Sequence, residues 1–332
     1  MSLGEFDIIA RYFATSRPRG DVLLGIGDDA AVLDVRQDRK LVVAMDTIVD
    51  AVHFPTGTAA ADIGYRALAV NLSDLAAMGA EPSWMTLSLS LPQADEAWLA
   101  GFAAGLFDIA DRFNVALAGG DTVKGPLVIT VQVAGWIESD RWLTRSGARP
   151  GDLIFVSGVP GEAAAGLAVI QKQLPATSAA CELRQRFLRP EPRMMLGRSL
   201  RTIASAAMDI SDGLLTDLGK LCAASNCGAR IDIERLPRSA AMAQLFDADA
   251  CVEYALAGGD DYEILFTVPA QQALQLERQL IGGIACTQIG VITNRGTDAG
   301  GVECRKDDRP YAVKHTGYDH FAGDDRTSSG SA

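Results

Sequence analysis

Six short segments place aspartate directly after small or apolar residues: Gly27-Asp28-Asp29, Met45-Asp46-Thr47, Ser73-Asp74, Gly119-Gly120-Asp121-Thr122, Asp209-Ile210-Ser211-Asp212-Gly213 and Gly258-Gly259-Asp260-Asp261. Singly, Asp-Gly and Gly-Asp pairs form turns and helix caps. Six of them in one chain suggest shared chemistry. Two carboxylates about 4 Å apart repel by about 4 kcal/mol at an effective dielectric of 20, so a gathered set needs cations. Magnesium suits it, because it takes carboxylate oxygens, keeps several waters and ligates substrate phosphates. The pattern predicts a phosphate-handling metal site.

Competing chemistries have weaker support. Gly25-Ile26-Gly27-Asp28-Asp29-Ala30 imitates the dinucleotide fingerprint, but acidic residues stand where a pyrophosphate should meet bare amides. There is no P-loop motif and no HExxH, and the three histidines are His53, His315 and His320. The six cysteines, at 181, 222, 227, 251, 286 and 304, form no CxxC pair and are expected as free thiols. Lys124 and Arg145 lie near the acidic segments and could hold a phosphate oxygen.

The elements that must position these residues alternate between helix and strand. Phe6, Ile9 and Phe13 predict a short amphipathic helix, Leu41–Ala44 a buried strand, and 62–78 a helix closed by Gly79. On that helix Asn71 and Asp74 form a narrow polar stripe among apolar neighbours, so the Asp74 carboxylate needs a partner. Strands are expected at 84–91 and 127–137, with a helix at 95–113 between them. After the turn at 147–152, strands are expected at 153–156, 229–233 and 263–268, and helices at 192–205, 211–225 and 271–280. The fold class is α/β (mixed α+β) with domains at 1–148 and 149–321 and a disordered tail at 322–332. The hexapeptide Ala-Leu-Ala-Gly-Gly-Asp occurs at 116–121 and again at 255–260, through chance or distant duplication.

At 332 residues the chain is long enough for about two domains. Hydrophobic residues make up 48% and charged ones 22%, a globular profile. The net charge of −12 opposes nucleic-acid binding. No apolar run reaches the roughly 18 residues of a membrane span, and no secretory signal is visible, so a cytoplasmic location is expected.

The segments GEFDIIARYF, GIGDDAAVL, MDTIVDAVHF, ALAVNLSDLAAMGAEP, GGDT, LTRSGARPGD, LRPEPR, MDISDGLLTDL, GGDDYEILFT and GYDHF, in that order, resemble the thiamine-monophosphate kinase family. That family shares a superfamily with aminoimidazole ribonucleotide synthetase and selenophosphate synthetase. The resemblance implies a two-domain aminoimidazole-ribonucleotide-synthetase-like fold and a homodimer paired through its amino-terminal domains. It also implies ATP-dependent phosphorylation of thiamine monophosphate with several magnesium ions. Asp29, Asp46, Asp74, Asp121, Asp209 and Asp212 would bind the metal; all of these except Asp209 would count as catalytic. Gly120, Asp121, Arg145 and Ser211 would contact ATP, and His53, Asp260 and Tyr318 would contact thiamine monophosphate. An aromatic face such as that of Tyr318 suits the cationic thiazolium. Ala44-Met45 replaces hydroxyl residues frequent before the Asp-Thr pair, and Asp260 stands where some relatives carry glutamate. A sister ATP-using enzyme and a non-catalytic cation-binding module are the alternatives. The first cysteine, Cys181, lies far from the amino-terminal cysteine or selenocysteine of selenophosphate synthetases.

Overall fold

A computed structural model describes residues 4–14, 19–27, 30–138, 141–276, 284–295, 301–315 and 317–318. The first half opens with helix α1 (Glu5–Ile8), which runs into a π-helical turn at Ile9–Phe13, and with strands β1 (Val22–Leu24) and β2 (Val32–Leu33). Strand β3 (Arg39–Val49), helix α2 (Ala60–Ala77), strand β4 (Glu81–Leu91), helix α3 (Glu96–Arg112) and strands β5 (Ala116–Lys124) and β6 (Val128–Glu138) follow. Four of these strands form one sheet in the order β3-β6-β4-β5, in which only β4 and β5 are parallel.

The second half runs through β7 (Leu153–Ser157), α4 (Glu162–Gln171), α5 (Ser178–Leu188), α6 (Met194–Leu200), β8 (Ala206–Asp209), α7 (Leu214–Ser225) and β9 (Gly228–Asp232). It continues with α8 (Ala240–Leu245), α9 (Ala248–Ala257), β10 (Ile264–Val268), α10 (Ala270–Leu276), β11 (Cys286–Thr293), β12 (Val302–Lys306) and β13 (Arg309–Pro310). These strands make a seven-stranded sheet in the order β13-β12-β9-β11-β7-β10-β8.

Helix α2 joins the two halves. It packs against β3 and β6 on one side and against β8 and α6 on the other, and Leu68, Leu72 and Leu75 are wholly buried in a core that also contains Phe155, Leu196 and Phe266. Glycine permits the tightest contact: a Cβ on Gly197 of α6 would lie 1.8 Å from the Ala76 carbonyl oxygen. Gly79, at φ +71°, stops the helix in the left-handed conformation that glycine adopts without strain.

Several expectations need adjustment. The strand expected as buried at 41–44 runs from Arg39 to Val49 with Leu41 and Val43 exposed and Asp46 within it, and the helix expected at 192–205 is only Met194–Leu200, starting after Pro192. Helices α4, α5, α8 and α9 were not foreseen. The two Ala-Leu-Ala-Gly-Gly-Asp copies do not share a conformation: 116–121 is strand, whereas 255–260 is the end of α9 and a loop. Residues 277–280 of the expected final helix, and the expected disordered tail, lie outside the described residues.

Candidate active site

Four of the expected aspartates meet where α2 lies between the two sheets. Asp74 projects from α2, and its carboxyl and that of Asp46 on β3 act on each other's ionisation. Asn71, one turn earlier on α2 and fully buried, accepts from the Asp46 backbone N–H at 2.9 Å and donates to the Ala67 carbonyl at 2.9 Å. From the other side, Asp209 at the end of β8 accepts from the Ser73 hydroxyl at 2.8 Å. Asp212 follows in the loop before α7 and acts electrostatically on Asp46.

The charge balance of this cluster favours protons or cations. Burial, then the charges of Asp209 and Asp46, push the Asp74 carboxyl up to about 8. Burial likewise pushes Asp209 up to about 6, although the Ser73 hydroxyl opposes it. Asp46 is also raised, mainly by burial. The exposed Arg145 guanidinium offsets part of this at Asp74 and Asp209. Oxygen-only donors carrying surplus negative charge fit a hard divalent cation such as magnesium. Among the described residues, however, no three His, Cys, Asp or Glu side chains are already arranged around one metal position.

One acid of the expected metal set, Asp121, does not join the cluster. Asp29 lies outside the described residues. Asp121 on β5 is in register with Ser88 on β4, which pairs with Thr130 on β6, which in turn pairs with Thr47 on β3. Cross-strand partners share a face and neighbours in a strand alternate, so Asp121 shares the face of Thr47 and is opposite Asp46. Within this sheet Asp46 and Asp121 therefore stand on opposite faces.

Asp121 instead borders a cavity of about 540 Å3 with Gly25, Gly27, Gly119 and Gly120 on one part of its wall and Phe6, Ile9, Phe13 and Leu117 on another. Gly120 is required there by space, because a Cβ would stand 1.9 Å from the Leu87 carbonyl oxygen. This wall combines apolar side chains with accessible backbone, which suits a flat base carrying polar edges.

The loop bearing Ser211 and Asp212 is fixed by a residue absent from the expected set. Asp217, fully buried on α7, accepts the backbone N–H groups of Ser211 and Asp212, each at 2.9 Å. Lys220, one turn on, donates to Asp217 at 2.8 Å and also to Asp212. The i, i+3 spacing of Asp217 and Lys220 was the available sequence signal. Tyr318 joins this region through its backbone N–H, which donates to the Asp212 carbonyl at 2.9 Å.

The other expected contacts lie around this centre. Asp260 donates its backbone N–H to the Ser211 carbonyl at 2.8 Å, while its carboxylate pairs with Arg66. His53 sits in the turn after β3, its Nδ1 accepting the Val49 N–H at 3.1 Å. Lys124 is exposed at the end of β5.

The fold and the acidic centre define a two-part class. Residues 27–137 match the AIR synthase related protein N-terminal domain family, and residues 149–303 match the corresponding C-terminal domain family. The chain is 47% identical over 326 residues to thiamine-monophosphate kinase of Escherichia coli (strain K12), covering 97% of this chain and 99% of that one. A crystal structure of thiamine-monophosphate kinase from Stenotrophomonas maltophilia K279a superposes with a TM-score of 0.84 at 46% identity, over 94% of this chain and 99% of that one. A second structure, AaThiL complexed with AMPPCP and TMP, gives a TM-score of 0.75 at 32% identity over 89% and 92% of the two chains. The chain belongs to the thiamine-monophosphate kinase family and is a phosphotransferase of that class.

Proposed function

We propose that the protein transfers the γ-phosphoryl group of ATP directly to the phosphate of thiamine monophosphate, giving thiamine diphosphate and ADP. The observation that carries this reading is the meeting of Asp46, Asp74, Asp209 and Asp212 beside Arg145. Support comes from the relative whose structure holds AMPPCP and TMP together.

Asp46, Asp74, Asp209 and Asp212 would hold magnesium, with Asp29 and Asp121 as further ligands. Bound there, several magnesium ions would supply neutralisation of phosphate charge. Gly120 and Asp121 would receive the nucleotide at the cavity, with Arg145 and Ser211 on the phosphates. His53, Asp260 and Tyr318 would orient thiamine monophosphate. The acceptor phosphate is already an anion at neutral pH, so no residue is required to take its proton. The chain's own contribution is then alignment of donor and acceptor for in-line displacement.

The domain division falls at 148/149, and the amino-terminal unit pairs with a second copy. Leu41, Val43 and Met45 on β3 and Val123 on β5 are exposed on the sheet face opposite α2, and Met45 is 63% exposed. An apolar face of this kind suits an isologous interface. Among the described residues no helix is long and apolar enough to cross a membrane; a cytoplasmic biosynthetic role is part of the same reading.

Chromatography of a reaction containing ATP, magnesium and thiamine monophosphate tests the proposal. Equimolar ADP and thiamine diphosphate support it. ADP with free phosphate, and thiamine monophosphate unchanged, contradicts it.

A further inference from the structure

Arg66 is a buried charged residue of α2 that sequence reasoning passed over. It is only 2% exposed and reaches from the first half of the chain into the second. Its Nη1 donates to the Phe187 carbonyl at 2.5 Å and its Nη2 to Asp260 Oδ1. The guanidinium carbon lies 4.5 Å from the Phe187 ring centre and 5.6 Å from that of Tyr262, so two aromatic faces limit its movement. Among the described residues Nε has no hydrogen-bond partner.

A buried ion pair is weak evidence for stability, because an apolar side chain of similar size fills the same space without desolvating a charge. What the guanidinium adds is direction. The three acids of the 258–263 segment show where that direction leads. Asp261 is used up within the second half, accepting the N–H groups of Gly161 at 2.6 Å and Ala163 at 3.1 Å. Glu263 pairs with Arg193 and accepts from the Ser157 hydroxyl. Asp260 alone turns toward α2, on a backbone held at φ +70°, an unusual conformation for a non-glycine residue. Its Oδ1 accepts from both Arg66 and the Tyr262 hydroxyl, the latter at 3.3 Å. Its Oδ2 takes no hydrogen bond from any described residue, and the side chain is 29% exposed.

We infer that Arg66 is a positioning residue for substrate: by anchoring Oδ1 of Asp260 it presents Oδ2 as a fixed acceptor for an N–H or cationic group of thiamine monophosphate. The inference rests on the reading of Asp260 as a substrate contact. It places the recognition of the vitamin end of the substrate on a bond between the two halves of the chain. Tyr262 assists from the same side of Asp260.

The test is a double-mutant cycle on the full-length protein with Arg66→Met, Asp260→Asn and the double variant. Its readouts are the KM values for both substrates, kcat, and equilibrium binding of thiamine monophosphate without ATP. Loss of one hydrogen bond to a charged group predicts about a tenfold or greater weakening of thiamine monophosphate binding in each single variant. KM for ATP and the fraction of folded protein stay near wild type, and the double variant is no weaker than Asp260→Asn alone. Arg66→Lys, which keeps the charge, loses less than Arg66→Met. Additive losses, or equal changes in both KM values, overturn the inference. If Arg66→Met does not fold, the same cycle is run with Arg66→Gln and the same criteria. An active wild type with unaltered thiamine monophosphate binding in the variants defeats this inference only; a wild type that forms no thiamine diphosphate defeats the functional reading beneath it.

Discussion

The Asp74 carboxyl on α2 and the Asp46 carboxyl on β3 act directly on each other, and burial raises both above the usual carboxylate range. The arrangement ties pH, cation binding and stability to one place. Four acids gathered there outnumber the nearby bases, and either protons or cations must make up the difference.

Stability of the metal-free protein should therefore fall as pH rises. Asp74 ionises near 8 when folded and near its ordinary carboxylate value when unfolded, so between those limits the folded state holds the extra proton. That contribution is complete below the unfolded value and declines progressively until it is gone above about 8; Asp209 adds a loss that is complete above about 6. Asp74→Asn removes the Asp74 part and should raise stability at pH 8.5 in EDTA by about 1–3 kcal/mol. Urea unfolding at pH 5.5 and 8.5 checks this, with a larger gain at the higher pH.

Asp217 carries the loop on which Ser211 and Asp212 stand. Asp217→Ala leaves two backbone N–H groups unpaired and releases Lys220, at a cost of about 2–4 kcal/mol. Denaturant titration should show that loss. At a temperature where the variant is fully folded, activity should still fall by at least about tenfold, because Asp212 is no longer held.

Gly120→Ala places a methyl group against the Leu87 carbonyl. The β4–β5 pairing must shift to receive it, and the cavity wall shifts with it. KM for ATP should rise by about tenfold or more, while KM for thiamine monophosphate changes much less. Steady-state kinetics with each substrate varied separately will distinguish the two.

Val43→Asp combined with Met45→Lys puts charge onto the exposed face of β3. Sedimentation velocity should show wild type as a dimer and the double variant as a monomer of unchanged secondary structure. An unaltered dimer would move the pairing surface elsewhere.

The sequence exposes α2 clearly, since its apolar surface, the Asn71–Asp74 stripe and the terminal Gly79 all point to a buried helix with a functional edge. Strand β3 is only partly legible: Asp46 and Thr47 interrupt its apolar run although both remain in the ladder with β6. Helix α4 is rich in alanine and buried over much of its surface, so no amphipathic period marks it. The position of Asp121 depends on sheet parity across four strands, which composition and spacing do not encode. Arg66 is hidden for another reason. A charged residue in a helix normally implies a solvated face, and only the meeting of α2 with Phe187 and the 258–263 loop reveals the opposite.

The most direct test of the acidic centre is phosphorus NMR of a reaction containing ATP, magnesium and thiamine monophosphate, run with wild type, with wild type in excess EDTA, and with Asp74→Asn. The account predicts thiamine diphosphate and ADP from wild type alone, with the rate in Asp74→Asn lowered by at least about a hundredfold. Undiminished thiamine diphosphate formation by Asp74→Asn, or in EDTA, would contradict a cation-dependent transfer centred on these aspartates.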